Sequence, residues 1–226
     1  MALPPIAQDP TYHDFADRRD LLGISNFLNV VTNLSFLAVG IAGIVLCVRQ
    51  CGGMGARWAW LACFIGVALV SLGSAYYHFA PDNDSLVWDR LPMSCGFMAL
   101  TVAMLAEHMN PRLEKYLLVP ALALGIASVI YWHCTDDLRL YVLVQFLPLL
   151  LLPVIQFLFK SPYTDRGLLL LALGIYVASK LAEHFDSALF AATGNIISGH
   201  SLKHLLAAAA LFVVYWMLRR RATLTG

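Results

Sequence analysis

Seven separate runs of mainly apolar residues, at about 27–48, 58–79, 86–107, 116–134, 139–159, 167–187 and 199–218, restrict this chain more than any other feature. A run of roughly 20 such residues is long enough to cross the hydrocarbon core of a bilayer as a helix. Inside lipid, every backbone N–H and C=O must be paired within the segment, which leaves the helix as the natural state of each run. The connections between runs are short, so residues 1–226 read as one all-α membrane domain, a seven-transmembrane helix bundle. A polar segment (1–25) precedes it and a basic tail (219–226) follows. Composition agrees: 60% of the residues are hydrophobic and 13% charged, against about 45–50% and about 25% in soluble domains. A net charge of +1 gives no sign of a nucleic-acid partner; the expected partners are the membrane and a lipid drawn from it. Residues 1–25 lack the apolar core of a signal peptide, so the first run is expected to be a retained helix. The five cysteines (47, 51, 63, 95 and 134) are odd in number and read as small buried packing residues rather than a disulfide set.

Charge sets an expected orientation. The first, third and fifth connections and the tail carry Arg49, Arg57, Arg112, Lys115, Lys160, Arg166 and Arg219–Arg220–Arg221. The N-terminal segment and the other connections carry only Arg18, Arg19 and Arg139. Basic residues accumulate in cytoplasmic loops. The N-terminus is therefore expected outside, in a periplasm or organelle lumen, with the C-terminus in the cytosol. The setting would be a bacterial inner membrane or a eukaryotic endomembrane.

That orientation places four ionisable residues at one depth. His78 ends the second span on the outer side, and Asp89 lies in the first turn of the third. His200 and His204 open the seventh within HSLKH (200–204) and share a helix face. His108 ends the third span on the inner side and is kept apart. Three histidines with one open position describe a catalytic zinc, whose bound water has a pKa of about 7. Asp89 is then placed to transfer a proton. Ser74, one turn before His78, can orient water or donate to a developing oxyanion. Each residue also has a plainer use: polar helix ends for the histidines, an ion pair with Arg90 for Asp89, helix packing for Ser74. His133 and His184 also sit at outer span ends, and spacing alone leaves them open as third ligands. Glu183, His184 and Asp186, with Lys180 one turn below, read as an ion-paired end of the sixth span. Asn29 and Asn33, four apart in the first span, are expected to hydrogen-bond between helices.

SAYYH (74–78), Asp89 within WDRLPM (88–93), HSLKH (200–204) and NFLNVVTN (26–33) together resemble the alkaline ceramidases. That family belongs to a superfamily of seven-helix membrane hydrolases that includes the adiponectin receptors. The resemblance implies zinc held by His78, His200 and His204, with Asp89 transferring protons and Ser74 stabilising the water or oxyanion. Tyr77, Asn29 and Asn33 would be supporting residues. It also implies hydrolysis of the amide of ceramide, or a ceramide-like N-acyl lipid, to a sphingoid base and a fatty acid. The family's N-terminal calcium site is matched only in part. Asp14 and Asp17 match acidic positions, but Arg19 and Asn26 stand where calcium ligands are expected. Residues 14–20 therefore read as an ion-pair network among Asp14, Asp17, Arg18, Arg19 and Asp20 rather than a calcium site. Rival readings are a hydrolase of another lipid amide or ester, and an adiponectin-receptor-like binding protein with a structural zinc.

Overall fold

The computed structural model describes residues 4–50, 55–160, 162–165 and 167–224; Cys51 and Arg166, used above, lie outside them. The first apolar run forms two helices, α1 (Phe27–Val31) and α2 (Leu34–Arg49), with Thr32 and Asn33 between them. Then come α3 (Arg57–Phe79), α4 (Asn83–His108), α5 (Arg112–Thr135), α6 (Arg139–Leu158), α7 (Gly167–His184), a short α8 (Asp186–Ala192) and α9 (Gly199–Arg220). Seven helical stretches, with α1 and α2 counted as one, are long and apolar enough to cross a membrane. Among the described residues there is no strand, only two isolated β-bridges.

The third span begins a turn earlier than hydropathy suggests. Asp82 accepts from the Ser85 backbone N–H at 2.6 Å, and the Ser85 hydroxyl oxygen accepts from the Asp82 N–H at 3.0 Å. This capping box starts the helix at Asn83. Asp89 and Pro92 therefore lie inside α4, not in its first turn. Proline has no N–H, so Pro92 leaves the Trp88 carbonyl without its usual helical donor. That carbonyl turns toward α3 at Gly73, where a Cβ would overlap its oxygen. The glycine thus lets the stretch carrying Asp89 come close to the stretch carrying Ser74 and His78.

The sixth span also differs from expectation. It stops at His184; the chain turns at Phe185, and Asp186 opens α8 instead of ending the span. Cys47 and Cys63 are buried and Cys95 partly so, but Cys134 is exposed at the end of α5 and is not a packing residue.

In the bundle, α4 packs against α3, α5 and α6, while α9 packs against α7 and α2 and closes the ring. The weakest seam is between α6 and α7. Apolar side chains are also abundant on the outer surface: Leu72, Leu150, Phe157 and Leu158 are all exposed. A surface of that kind is stable against lipid rather than water. At one end, Trp60 Nε1 donates to Glu107 at 2.7 Å, and Arg221 holds the same carboxylate through two hydrogen bonds of 2.6 Å. His78, His200 and His204 gather at the other end.

Candidate metal centre

His78 reaches the centre from the last turn of α3, His200 and His204 from the first turns of α9. Ser198 caps α9 by accepting from the Ser201 N–H at 3.1 Å, which starts the helix where the two histidines share a face. All three histidines are buried, at 1%, 5% and 3% exposure. One ring nitrogen from each lies within 4.8 Å of the others, a spacing that could hold a metal ion. These are the three histidines that the resemblance implies, and the fold brings them together. His133 instead lies 3.8 Å from Asp84 at the rim, and His184 is exposed and packs on Phe185.

The donor set fits zinc on two independent observations. First, His78 Nε2 and His200 Nε2 are 3.3 Å apart. Two nitrogens bound to zinc at about 2.0–2.1 Å in a tetrahedron are separated by about 3.3–3.4 Å. Second, the partner of His204 leaves one of its lone pairs free. Thr32 Oγ1 donates its one proton to the Leu28 carbonyl at 2.7 Å, so toward His204 Nδ1, 2.9 Å away, it acts as acceptor. Nδ1 then carries the proton, and Nε2 is left bare. At His200 the Lys203 ammonium lies 3.0 Å from the same Nε2 and uses its lone pair, so a metal there has to displace Lys203 from it.

The break between α1 and α2 is what brings Thr32 to His204. Replacing Thr32 with valine keeps the shape and removes the acceptor. Metal affinity is expected to fall about 10–100-fold, the usual effect of losing a partner that orients a ligand; competition with a chelator measures it.

Asp89, 8% exposed, and Ser74, 2% exposed, line one cavity with His204. The asparagines divide their tasks. Asn29 accepts from Ser201 Oγ at 2.6 Å, joining α1 to α9 as expected. Asn33 instead donates to the Asn29 carbonyl within its own segment at 2.6 Å, so its bond does not link helices. Asn26, in the left-handed region at φ 50°, donates to the His78 carbonyl at 2.9 Å.

Residues of the polar N-terminal segment form a roof over the histidines. The Phe15 ring lies 4.8 Å from the His78 ring and 4.6 Å from that of His200. His13 Nδ1 is 2.9 Å from the Tyr77 hydroxyl. Asp186 joins roof to ligand helix, accepting from the Ala16 N–H at 2.9 Å and the His200 N–H at 2.7 Å. Asp17 is held by Arg19 through bonds of 2.8 and 2.6 Å, and Asp14 pairs with Arg18 at 2.7 Å. Burial pushes the Asp17 carboxyl up, but the bonds from Arg19 outweigh it and leave it below the ordinary value. Asp20 joins no ion pair among the described residues, so it falls outside the expected network.

Lys203 was not singled out in the sequence, although a lysine between two ligands inside a span is the kind of residue that marks a site. It donates to Glu183 at 2.8 Å, and Lys180 donates to the same carboxylate at 2.7 Å. The ion-paired cluster ending the sixth span therefore exists, with Lys203 in it and His184 and Asp186 outside it.

A cavity of about 250 Å³ is lined by Ser74, Asp89, Lys203 and His204. Phe36, Val70, Met93, Tyr176 and Ala207 line both this space and an almost wholly apolar one deeper in the bundle. Val142 and Phe146 of α6 line the polar cavity yet are exposed on the bundle's outer surface, beside the seam with α7.

A comparison with protein families matches the ceramidase model over residues 22–164. That stretch includes Ser74, His78 and Asp89 and stops short of α9. A search of the curated proteins finds no match.

Proposed function

The chain belongs to the ceramidase family, and from that premise we propose that it is a zinc-dependent membrane hydrolase. It cleaves the amide of ceramide or a ceramide-like N-acyl lipid. The observation that carries this reading is the convergence of His78, His200 and His204 on one point beside Asp89 and Ser74, at the wall of a cavity with an apolar extension.

The three histidines are the residues to hold zinc, which supplies Lewis acidity and a water of pKa about 7. The chain's own groups do the rest. Asp89 takes a proton from the attacking water as its oxygen bonds to the amide carbon. The Ser74 hydroxyl donates to the carbonyl oxygen as negative charge develops there. Asp89 then returns the proton to the leaving nitrogen as the C–N bond breaks, giving an amine and a fatty acid. Phe15 and the rest of the roof keep bulk water from the histidines. The apolar lining of the deeper space suits an acyl chain, and the sparsely packed seam between α6 and α7 suits entry from the bilayer.

Purified protein is expected to contain about one zinc per chain and to hydrolyse members of a panel of N-acyl lipids. Turnover of lipid esters with no amide cleaved would sink the ceramidase assignment and keep the zinc chemistry. The distribution of Lys and Arg supports a periplasmic or lumenal site and a cytosolic C-terminus. A C-terminal tag is therefore expected to resist protease added to spheroplasts of a bacterial host, whose periplasmic face is exposed; its digestion there would reverse the orientation.

A further inference from the structure

The polar cavity also holds a neutral side chain that the hydrolytic steps do not use. Gln145 sits on the inward face of α6, in a buried stripe with Tyr141, Pro148 and Leu152. It is 6% exposed and lines the cavity. Other polar groups there have partners: Lys180 and Lys203 hold Glu183, Arg90 donates to Gln8, and Ser179 donates to the Tyr176 carbonyl. The Gln145 carboxamide makes no hydrogen bond among the described residues, yet neither of its polar atoms is sealed off from the cavity. Water can satisfy such a group, but a lipid that fills the cavity displaces the water. The depth of Gln145 matters too. One turn further along α6, Leu149 lines the apolar space, just as Ala207 does three residues after His204 on α9. Gln145 and His204 thus both stand where polar lining gives way to apolar.

We propose that Gln145 is a specificity residue for a hydroxyl on the amine half of the N-acyl lipid. With the acyl chain in the apolar space and the scissile amide at the histidines, the amine half is the part that lies in the polar cavity. A hydroxyl can donate to Oε1 or accept from Nε2, so it matches the carboxamide whichever atom faces it. An amine half of hydrocarbon alone displaces water and leaves Gln145 unpaired. A site built to pair with a hydroxyl rejects the analogue that lacks one. This rests on the hydrolase reading above and narrows its substrates to N-acyl lipids with a hydroxyl near the amide.

The test measures binding without turnover. Two lipids of equal chain length, with a non-hydrolysable linkage in place of the amide, are offered to the full chain in detergent. They differ only in bearing a hydroxyl or a hydrogen on the carbon next to the one that carries the nitrogen. The hydroxyl lipid is expected to bind about tenfold more tightly, the effect of one hydrogen bond whose loss strands a buried partner. Gln145→Met, close in length but apolar, is expected to weaken binding of the hydroxyl lipid, leave the other at least as tight, and so remove the preference. Gln145→Glu, which keeps an acceptor, is expected to retain part of it. Equal binding of both lipids by the parent protein overturns the proposal, whether or not either variant folds. So does a preference that survives unchanged in Gln145→Met. Between the cleavable N-acyl counterparts, the difference is expected in KM rather than kcat. A protein that prefers the hydroxyl lipid, and loses that preference in Gln145→Met, but cleaves no amide would refute the hydrolase reading and leave the hydroxyl site standing.

Discussion

His200→Ala is expected to purify as a folded helical membrane protein with almost no zinc, and to hydrolyse lipid amides at least about 10³-fold more slowly, beyond the loss of a single oxyanion donor. His200 supplies one of three buried ring nitrogens, and its Nε2 stands 3.3 Å from that of His78. With alanine there, two nitrogens remain from α3 and α9, too few for a stable catalytic zinc site. The bundle should survive, because His200 is one residue at one end of a structure whose larger core lies at the other, around Trp60, Phe64, Met104 and Met217. Its backbone N–H still donates to Asp186, so the start of α9 keeps that anchor. Metal content by mass spectrometry and turnover by product release are measured on the same preparation. Full activity in the metal-free variant would refute the mechanism.

Asp89→Asn should separate chemistry from metal binding. Asparagine has nearly the shape of aspartate, and Asp89 is not one of the clustered nitrogen donors. Zinc should therefore stay near the parent's content, with kcat falling about 10²–10⁴-fold, the span associated with a positioned general acid or base. KM should change little, because the loss falls on proton transfer and not on lipid binding. If the variant lost zinc as well, Asp89 would be a structural support of the cluster. If kcat were unchanged, another group would have to move the proton.

Much of this site is legible in the sequence because helices make it so. A spacing of four puts His200 and His204 on one face, and alternation of the spans carries His78 and Asp89 to the same end. What escapes is whatever depends on a break in a helix or on side chains meeting across the bundle. The apolar run of residues 27–48 is continuous, so nothing in its hydropathy marks the interruption at Thr32 and Asn33 that delivers Thr32 to His204. The polar first turn of α4 lies below the hydropathy of a span, which hides its start, although Asp82 and Ser85 spell the capping box. Asn33 has the residue type and spacing of its neighbour Asn29, yet bonds locally, because the turn in the chain leaves the Asn29 carbonyl in reach. Phe185 ends α7 early with no glycine or proline to signal it. The packing of Phe15 on two histidines joins residues far apart in the chain, a distance no local pattern records.

The roof also bears on how the protein is made. Synthesis proceeds from the N-terminus, so Ile6, Gln8, Phe15, Ala16 and Arg19 leave the ribosome before any of their distant partners exist. Ile6 and Gln8 await Asp136, Asp137 and Leu138; Ala16 awaits Asp186, and Arg19 the Ile196 carbonyl. His78 likewise waits for two ligands that arrive with the last span. The histidine cluster is therefore completed only when α9 arrives. A nascent chain stalled between α4 and α9 carries His78 and Asp89 but neither of the two histidines that complete the cluster.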